Sequence, residues 1–532
     1  MLALLASPPA RAGDTAAPPF TTDAQTAKKV MDAEMAFEQF VFAGPRFPSC
    51  DFKQPVAAMI GPYKIEVSYY NSRFKKVKGA AAPGRYGAIV KVVPQNARPF
   101  YRFFTLFRPP TTRQWQTLER QFATKTLAQL RAQATAVARR SPKHAEKIRK
   151  FADDIESGHG RAILLAGLNE ARLRNAKVDI HPADRQWWVT MKRIFYRLDK
   201  KYIKKFLCPR PKKGKPAKVI RDGTLEEAGM KPGAAKQIDG VLSAWADDSG
   251  EPFAVCIVRH GVIVLHKAYG LRGGKPMTLT TRSAMASITK LLSATLMMML
   301  VDRGVDLDAP VEKYLPVFGD IEVRAPLTIR HLYTHTSGLW DHWGDNLNDF
   351  EQRLAVYYPH LEVGKRHLYN GAGYALGGKI IEALTGESIP NFYKKHLLEP
   401  LACTGTTVVD TYGGATSTPM DIARIAQMLL NRGSYGNMMF FREKTFEKML
   451  PVSLKEELGV DTDVEWGIGT TWFRGEGLGK GTFGHGAASG VTLRIDPEND
   501  LVIVMTRNKR GKNFADHHAN FLRAVADGIK KD

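Results

Sequence analysis

The stretch SAMASITKLLSATLMMMLVDRG, residues 283–304, opens with small residues, becomes almost continuously apolar, and sets one lysine, Lys290, against that apolar run. From Ser287 to Arg303 it holds neither Pro nor Gly, and Gly304 follows where a helix favours its stop. The pattern predicts a helix of about four turns. Leu291, Leu292, Ala294, Leu296, Met297, Met298, Met299, Leu300 and Val301 run nearly all round it, which places it inside the molecule. A membrane span needs roughly 20 apolar residues, and this run is shorter. Ser287 and Lys290, at i and i+3, share one face of the first turn. Burial weakens an ammonium's hold on its proton, so an amine beside a serine hydroxyl is a base beside a nucleophile. Taken alone, however, S-x-x-K at a helix start also describes a capping serine and a snorkelling lysine. The choice between them comes from elsewhere in the chain.

At 532 residues, 44% hydrophobic and 24% charged, the composition is that of a folded chain long enough for two or more domains. The formal charge of +24 is unevenly spread. Residues 1–220 hold 42 Lys and Arg against 16 Asp and Glu, a balance of +26, whereas residues 221–532 hold 35 against 37, a balance of −2. The split argues for two units, the first strongly basic. Cys50, Cys208, Cys256 and Cys403 show no C-x-x-C or Cys/His metal spacing, so no metal is expected. Cys50 and Cys208 bracket the basic half and can pair only in an oxidising compartment, whereas Cys256 sits in an apolar run as a buried thiol. The opening MLALLASPPARAGDTAAPPF has the apolar run and small-x-small site, Ala10-Arg11-Ala12, of a secretory signal's end, although it lacks a basic start. Residues 1–19 are therefore expected to be signal-like or disordered, and the protein exported to the periplasm or cell exterior.

Residues 20–110 carry short strand-like runs such as YKIEVSYY (63–70) and YGAIVKVV (86–93), and 112–205 is helical in pattern and basic, with a long amphipathic helix closing before Pro142. CPRPKKGKPAK (208–218), rich in Pro and Lys, reads as a linker. The expected organisation is a basic α+β domain over 20–207, a linker over 208–221 and a second α+β domain over 222–532. In the latter, FAVCIVRHGVIVLHKAYG (253–270) is two strands around His260-Gly261, and VTLRIDPENDLVIVMTRN (491–508) is two more around Pro497–Asp500. FADHHANFLRAVADGIKK reads as a closing helix. Strands at both ends with helices between them predict an antiparallel sheet flanked by helices.

Three more stretches bear on Lys290. HLYNGAGYALGGKIIEALTG (367–386) sets Tyr369 in a polar, glycine-rich loop before a helix; FGHGAASGVTLRID (483–496) sets His485-Gly486 at a strand; and LTIRHLYTHTSGL (327–339) holds a T-H-T-S-G turn. With Ser287-Ile288-Thr289-Lys290, and in this order, they resemble the serine β-lactamase-like hydrolases, in the branch of class C β-lactamases, D,D-peptidases and esterases. The resemblance covers about residues 222–532 and extends to LDAPVEKYLP, LYTHTSGL and ATSTPMDIARIAQMLLNRG. It implies a β-lactamase/transpeptidase-like fold for the second domain and no cofactor. It also implies that Ser287 is a nucleophile forming an acyl-enzyme, Lys290 its base partner, and Tyr369 a proton relay. His485 then supplies a hydrogen bond or positive charge to Tyr369 or to a substrate carboxylate. The backbone amides of Ser287 and of Ala488, on the strand, are the implied oxyanion donors.

Two departures shape the expectation. Tyr369-Asn370-Gly371 has Gly371 where the β-lactamases usually carry an Asn that contacts the acyl amide, and His485-Gly486-Ala487 has Ala487 where Gly is usual, which narrows the substrate groove. Both favour an ester, or a D-amino-acid-type amide or peptide, over efficient β-lactam turnover. The alternative is a penicillin-binding-like sensing or envelope-binding protein with little turnover. His331 and His335 are expected to be structural, bonding loop backbone, and His342 and Trp343 are candidates for the rim of the groove. The excess of cations over residues 20–210 allows attachment to an anionic cell-envelope polymer; no nucleic-acid fold signature is visible.

Overall fold

The computed structural model describes residues 206–319, 325–339, 350–358 and 361–530, and before them 57–60, 63–71, 75–77, 84–93, 100–108, 127–138, 141–156, 182–196 and 198. The signal-like start, Cys50, His342 and Trp343 lie outside these residues, as does much of the basic segment. The chain divides into two compact units, one within 23–191 and one from 192 onward. In the first, Ala57–Ile60, Tyr63–Asn71, Gly84–Val93 and Phe100–Arg108 form an antiparallel sheet in that order, with Lys76–Val77 added against Tyr63–Asn71. Glu66 pairs across the ladder with Lys91 and along its own strand with Lys64, opposite charges that suit this register. Of the long helix expected before Pro142, 127–138 is helical, and Pro142 itself opens the next helix, Pro142–Glu156. That placement follows from proline's missing N–H, which the first helical position does not need.

The second unit is built on six antiparallel strands. In chain order its main elements are α1 (Ala234–Ser249), β1 (Phe253–Arg259), β2 (Val262–Tyr269), β3 (Ser283–Ala284), α2 (Ile288–Val301), α3 (Ala372–Thr385), β4 (Ala415–Ser417), α4 (Pro419–Leu430), β5 (Thr471–Trp472), β6 (Phe483–Gly486), β7 (Thr492–Asp496), β8 (Leu501–Thr506) and α5 (Phe514–Asp527). The large sheet runs β5-β6-β7-β8-β1-β2, so the first and last hairpins meet at β8 and β1. The β1–β2 turn places both His260 and Gly261 in the left-handed region, φ 56° and 80°, as a two-residue hairpin turn requires.

FAVCIVR is buried at every position. Phe253, Val255 and Ile257 join Leu501, Ile503 and Met505 of β8 in a core closed by Ile238, Leu242 and Trp245 of α1 and by Phe521, Leu522 and Val525 of α5. Helix α4 packs on β8, β1 and β7, contributing buried Ile422, Ile425 and Leu429. Two-sided cover explains why these strands read as unbroken apolar runs rather than alternating ones. The segment 208–218 is strapped to this unit. Arg210–Pro211 pairs with Met438–Met439, and the Lys212 and Ala217 N–H groups donate to the carbonyls of Asn437 and Gly436. Cys208 is a free, buried thiol whose Sγ–H donates to the Phe440 carbonyl; burial pushes its pKa up to about 11.

Four histidines of this unit, His335 and His485 buried and His331 and His518 partly buried, bear on its acid tolerance. Burial lowers His331 and His485 to about 4, His518 to about 3 and His335 well below the ordinary imidazole range. In the unfolded chain each titrates near 6.5. Between that pH and about 4 the unfolded chain therefore binds protons that the folded one refuses. Stability is complete above pH 6.5 and is lost as pH falls, by about 1.4 kcal/mol per pH unit for each histidine inside the window. Urea midpoints at pH 8 and pH 5 check this: a clear drop at pH 5 is expected, and equal midpoints contradict it.

Candidate active site

Helix α2 is buried at every residue from Ile288 to Leu300, as its all-round apolar pattern predicts. Ser287 stands at its N-cap, half-exposed, and makes no capping hydrogen bond through its side chain. A serine whose task is capping gives its oxygen to the helix's free N–H groups; here that oxygen is left for other use. The preceding residue, Ala286, has φ 45°, a left-handed conformation that costs a non-glycine residue about 1 kcal/mol or more. The surroundings hold it there. Met285 N–H donates to the Ala415 carbonyl at 2.8 Å, and Ala415 N–H donates to Thr289 Oγ1 at 3.1 Å, so β4 grips the chain on both sides of Ser287.

Lys290, one turn on, is 4% exposed. Its Nζ donates to the Tyr412 carbonyl at 2.9 Å and lies 4.8 Å from the centre of the Tyr369 ring, 5.7 Å from that of Tyr374 and 6.0 Å from that of Tyr412. Tyr369 comes from the loop before α3 and is 42% exposed, so one residue joins the buried lysine to solvent. The next residue anchors that loop: Asn370 N–H donates to His335 Nδ1 at 3.1 Å, and Asn370 Oδ1 accepts the Gly373 N–H at 2.8 Å. Gly371 is the N-cap of α3. Gly373 packs so closely on Leu332 that an added Cβ there falls 2.5 Å from the Leu332 carbonyl oxygen.

His485, on β6, is 3% exposed. Its Nδ1 lies 2.6 Å from the Gly486 carbonyl oxygen, which makes Nδ1–H the donor and leaves Nε2 an acceptor, buried and without a hydrogen-bond partner among the described residues. Burial, reinforced by the positive charges of Lys290 and Arg494, holds it near 4. Of the two roles expected for His485, a hydrogen bond or a positive charge, burial favours the first. Burial disfavours its charged form, and with Nδ1–H bonded to the Gly486 carbonyl the ring offers a lone pair at Nε2. A correction concerns Ala488: β6 ends at Gly486, and Ala487 and Ala488 lie in the turn beyond it, closed by Gly490 N–H donating to the Ala487 carbonyl at 2.9 Å. Gly486 still pairs with Thr492, and the chain leaves the sheet at the two alanines after it.

Sequence reading missed Trp466. Its ring lies 5.1 Å from His335, 5.5 Å from His367, and 5.8 Å from both Tyr369 and His485, which ties the separate motifs into one cluster. Its neighbourhood, VEWGIGTTWF, carries no motif spacing that marks it. His331 bonds locally, in a capping box with Thr328, whereas His335 accepts from the Asn370 N–H, 35 residues on and outside its own turn. The His335 ring also lies 4.3 Å from the Tyr369 ring, tilted 39° to it, a contact no local pattern announces. Trp466 further borders a cleft of about 420 Å³ with Arg330, Thr334, Lys448, Val452 and Ile468; Ser287, Lys290 and Tyr369 do not line it. Among the described residues no group of three or more His, Cys, Asp or Glu is arranged to hold a metal ion, and no helix is long and apolar enough to cross a membrane.

A serine at a helix start, a buried lysine on the same turn and a half-exposed tyrosine over that lysine can perform acyl transfer without a metal. Comparison with known proteins bears on this. The family model described as Beta-lactamase matches residues 225–528. The Escherichia coli (strain K12) protein named "Putative D-alanyl-D-alanine carboxypeptidase" is 24% identical over 388 residues, covering 57% of this chain and 88% of that one. "Esterase EstB" of Burkholderia gladioli is 35% identical over 196 residues, 31% of this chain and 50% of its own. A solved penicillin-binding protein homologue from Caulobacter crescentus is 18% identical with a TM-score of 0.49, over 57% of this chain and 99% of its own.

Proposed function

The chain belongs to the beta-lactamase family, and from that premise we propose that it is a serine hydrolase cleaving an uncharged carboxylic ester through an acyl-enzyme. In this reading Ser287 Oγ attacks the ester carbonyl while Lys290 takes its proton. The C–O bond to the alcohol then breaks, with Tyr369 returning a proton to the departing oxygen. Water cleaves the resulting acyl-serine by the same steps in reverse roles. The backbone N–H groups of Ser287 and Ala488 are the proposed oxyanion donors; losing one such donor typically costs about a hundredfold in rate.

The observation that carries the choice of ester is the state of His485. A site for a D-amino-acid carboxylate or a β-lactam carboxylate calls for a cation beside the strand. Here that position holds a neutral imidazole whose remaining nitrogen accepts a hydrogen bond. A neutral acceptor there supplies no counter-charge of its own to a carboxylate and suits a substrate group that donates, such as a hydroxyl or an N–H. Gly371, with no side chain to meet an acyl amide, supports the same reading. Esterase EstB, among the relatives, is named for that activity.

The purified protein incubated with p-nitrophenyl acetate and, separately, with a fluorescent penicillin tests the proposal. Ester turnover at least about tenfold faster in kcat/KM than lactam turnover is expected, since one tenfold step corresponds to about 1.4 kcal/mol of transition-state preference. Faster turnover of the penicillin overturns the choice of ester.

A further inference from the structure

The loop after Val408 carries a carboxylate that the mechanism above does not use. Asp410 is 7% exposed, and its Oδ1 accepts three backbone N–H groups in succession, from Tyr412 at 2.9 Å, Gly413 at 2.8 Å and Gly414 at 2.8 Å. Gly414 is required for this arrangement, because a Cβ there falls 2.3 Å from Asp410 Oδ2. Val409 N–H closes the loop onto the Gly414 carbonyl at 3.2 Å. The loop is tied to both elements of the site: Thr411 Oγ1–H donates to the Tyr374 carbonyl in α3 at 2.7 Å, and Ala415 N–H donates to Thr289 Oγ1 in α2 at 3.1 Å.

One peptide group links this carboxylate to Lys290. The N–H of Gly413 points to Asp410 Oδ1, and the carbonyl of the same peptide, that of Tyr412, accepts the Lys290 Nζ proton at 2.9 Å. A negative charge on the N–H end of an amide polarises its carbonyl and makes that oxygen a stronger acceptor. We propose that Asp410 is a positioning residue for the reaction: through the Tyr412–Gly413 peptide it fixes the Lys290 amine beside Ser287 and raises its proton affinity. The Tyr369, Tyr374 and Tyr412 rings and the imidazoles of His335 and His485, whose charged forms burial disfavours, also face Lys290. The charge that Asp410 relays acts against the effect of burial at the lysine. Burial alone makes an amine easy to deprotonate but leaves it a weak base, and the relayed charge strengthens it.

This inference rests on Lys290 serving as the base for Ser287. The test follows the rate of Ser287 labelling by a fluorescent fluorophosphonate against pH, which reads the serine's nucleophilicity without knowledge of the natural substrate. Asp410→Asn keeps an oxygen for the three N–H groups but removes the charge. It is expected to retain the wild-type melting midpoint and to shift the acidic limb of the labelling profile about half a pH unit or more towards lower pH. Its plateau rate should fall about three- to thirtyfold, and that of Asp410→Ala, which also loses the oxygen, about a hundredfold. A brace without an electrostatic role does not move the limb. A limb that stays in place or moves upward in Asp410→Asn overturns the proposal, even if Asp410→Ala fails to fold. Labelling of a Ser287→Ala protein at the wild-type rate instead overturns the underlying reading of Ser287 and Lys290.

Discussion

Replacement of Ser287 by alanine is expected to lower kcat for p-nitrophenyl acetate by at least about a thousandfold and to abolish covalent labelling, while the protein folds as before. The magnitude is that of losing the nucleophile from a site whose members act as a unit. The unchanged stability is the more specific part of the prediction. An N-cap serine that serves its helix costs about 1 kcal/mol when truncated to alanine. Ser287 makes no such side-chain bond, so its hydroxyl contributes little to holding α2 in place. Melting midpoint and kcat measured on one preparation separate the two roles. A large fall in midpoint with activity retained marks a structural serine and removes the acyl-enzyme reading.

Lys290→Met should cost nearly as much activity, about a hundred- to ten-thousandfold in kcat, the range assigned to a positioned general base. Methionine keeps the length and flexibility of the stem, so packing within α2 is conserved while the amine is lost. The substitution removes a polar amine from a helix buried from Ile288 to Leu300 but takes the Lys290 donor from the Tyr412 carbonyl. These two effects oppose each other, and the melting midpoint should stay within a few degrees of the wild type. Lys290→Arg keeps the positive charge but cannot act as a base near neutral pH, so it should be as inactive as the methionine variant. Arginine restoring activity means that charge alone is needed. Methionine retaining more than about a tenth of kcat transfers the base role to Tyr369, whose ring lies over Nζ.

The histidines connect these predictions. His335 and His485 flank Tyr369 from opposite motifs, and burial keeps both neutral across the pH range in which Lys290 is asked to titrate. The pH dependence of acylation then reports lysine or tyrosine rather than imidazole, although four histidines of this unit are strongly shifted. Their protonation appears in stability at acid pH instead, because each must be exposed before it can take a proton.

The amino-acid sequence by itself determined the elements that rest on short-range pattern. The buried helix α2, the turn at His260-Gly261, the closing helix α5 and the pairing of Ser287 with Lys290 on one turn all follow from spacing within about a dozen residues, where helical and strand periodicities act directly. The ordered phrases around Tyr369 and His485 made the family legible, because a serine that needs a base and a proton relay leaves its residue types in fixed local contexts. Only the tertiary structure decided the electrostatic state of the site. Whether His485 is a cation or an acceptor depends on how deeply β6 is buried and on the carbonyl its Nδ1 meets, and burial is a property of packing rather than of residue type. Trp466 and Asp410 join the cluster from segments with no motif of their own, brought there by contacts far apart in sequence. The sequence specifies those contacts through the whole core, and no local period records them.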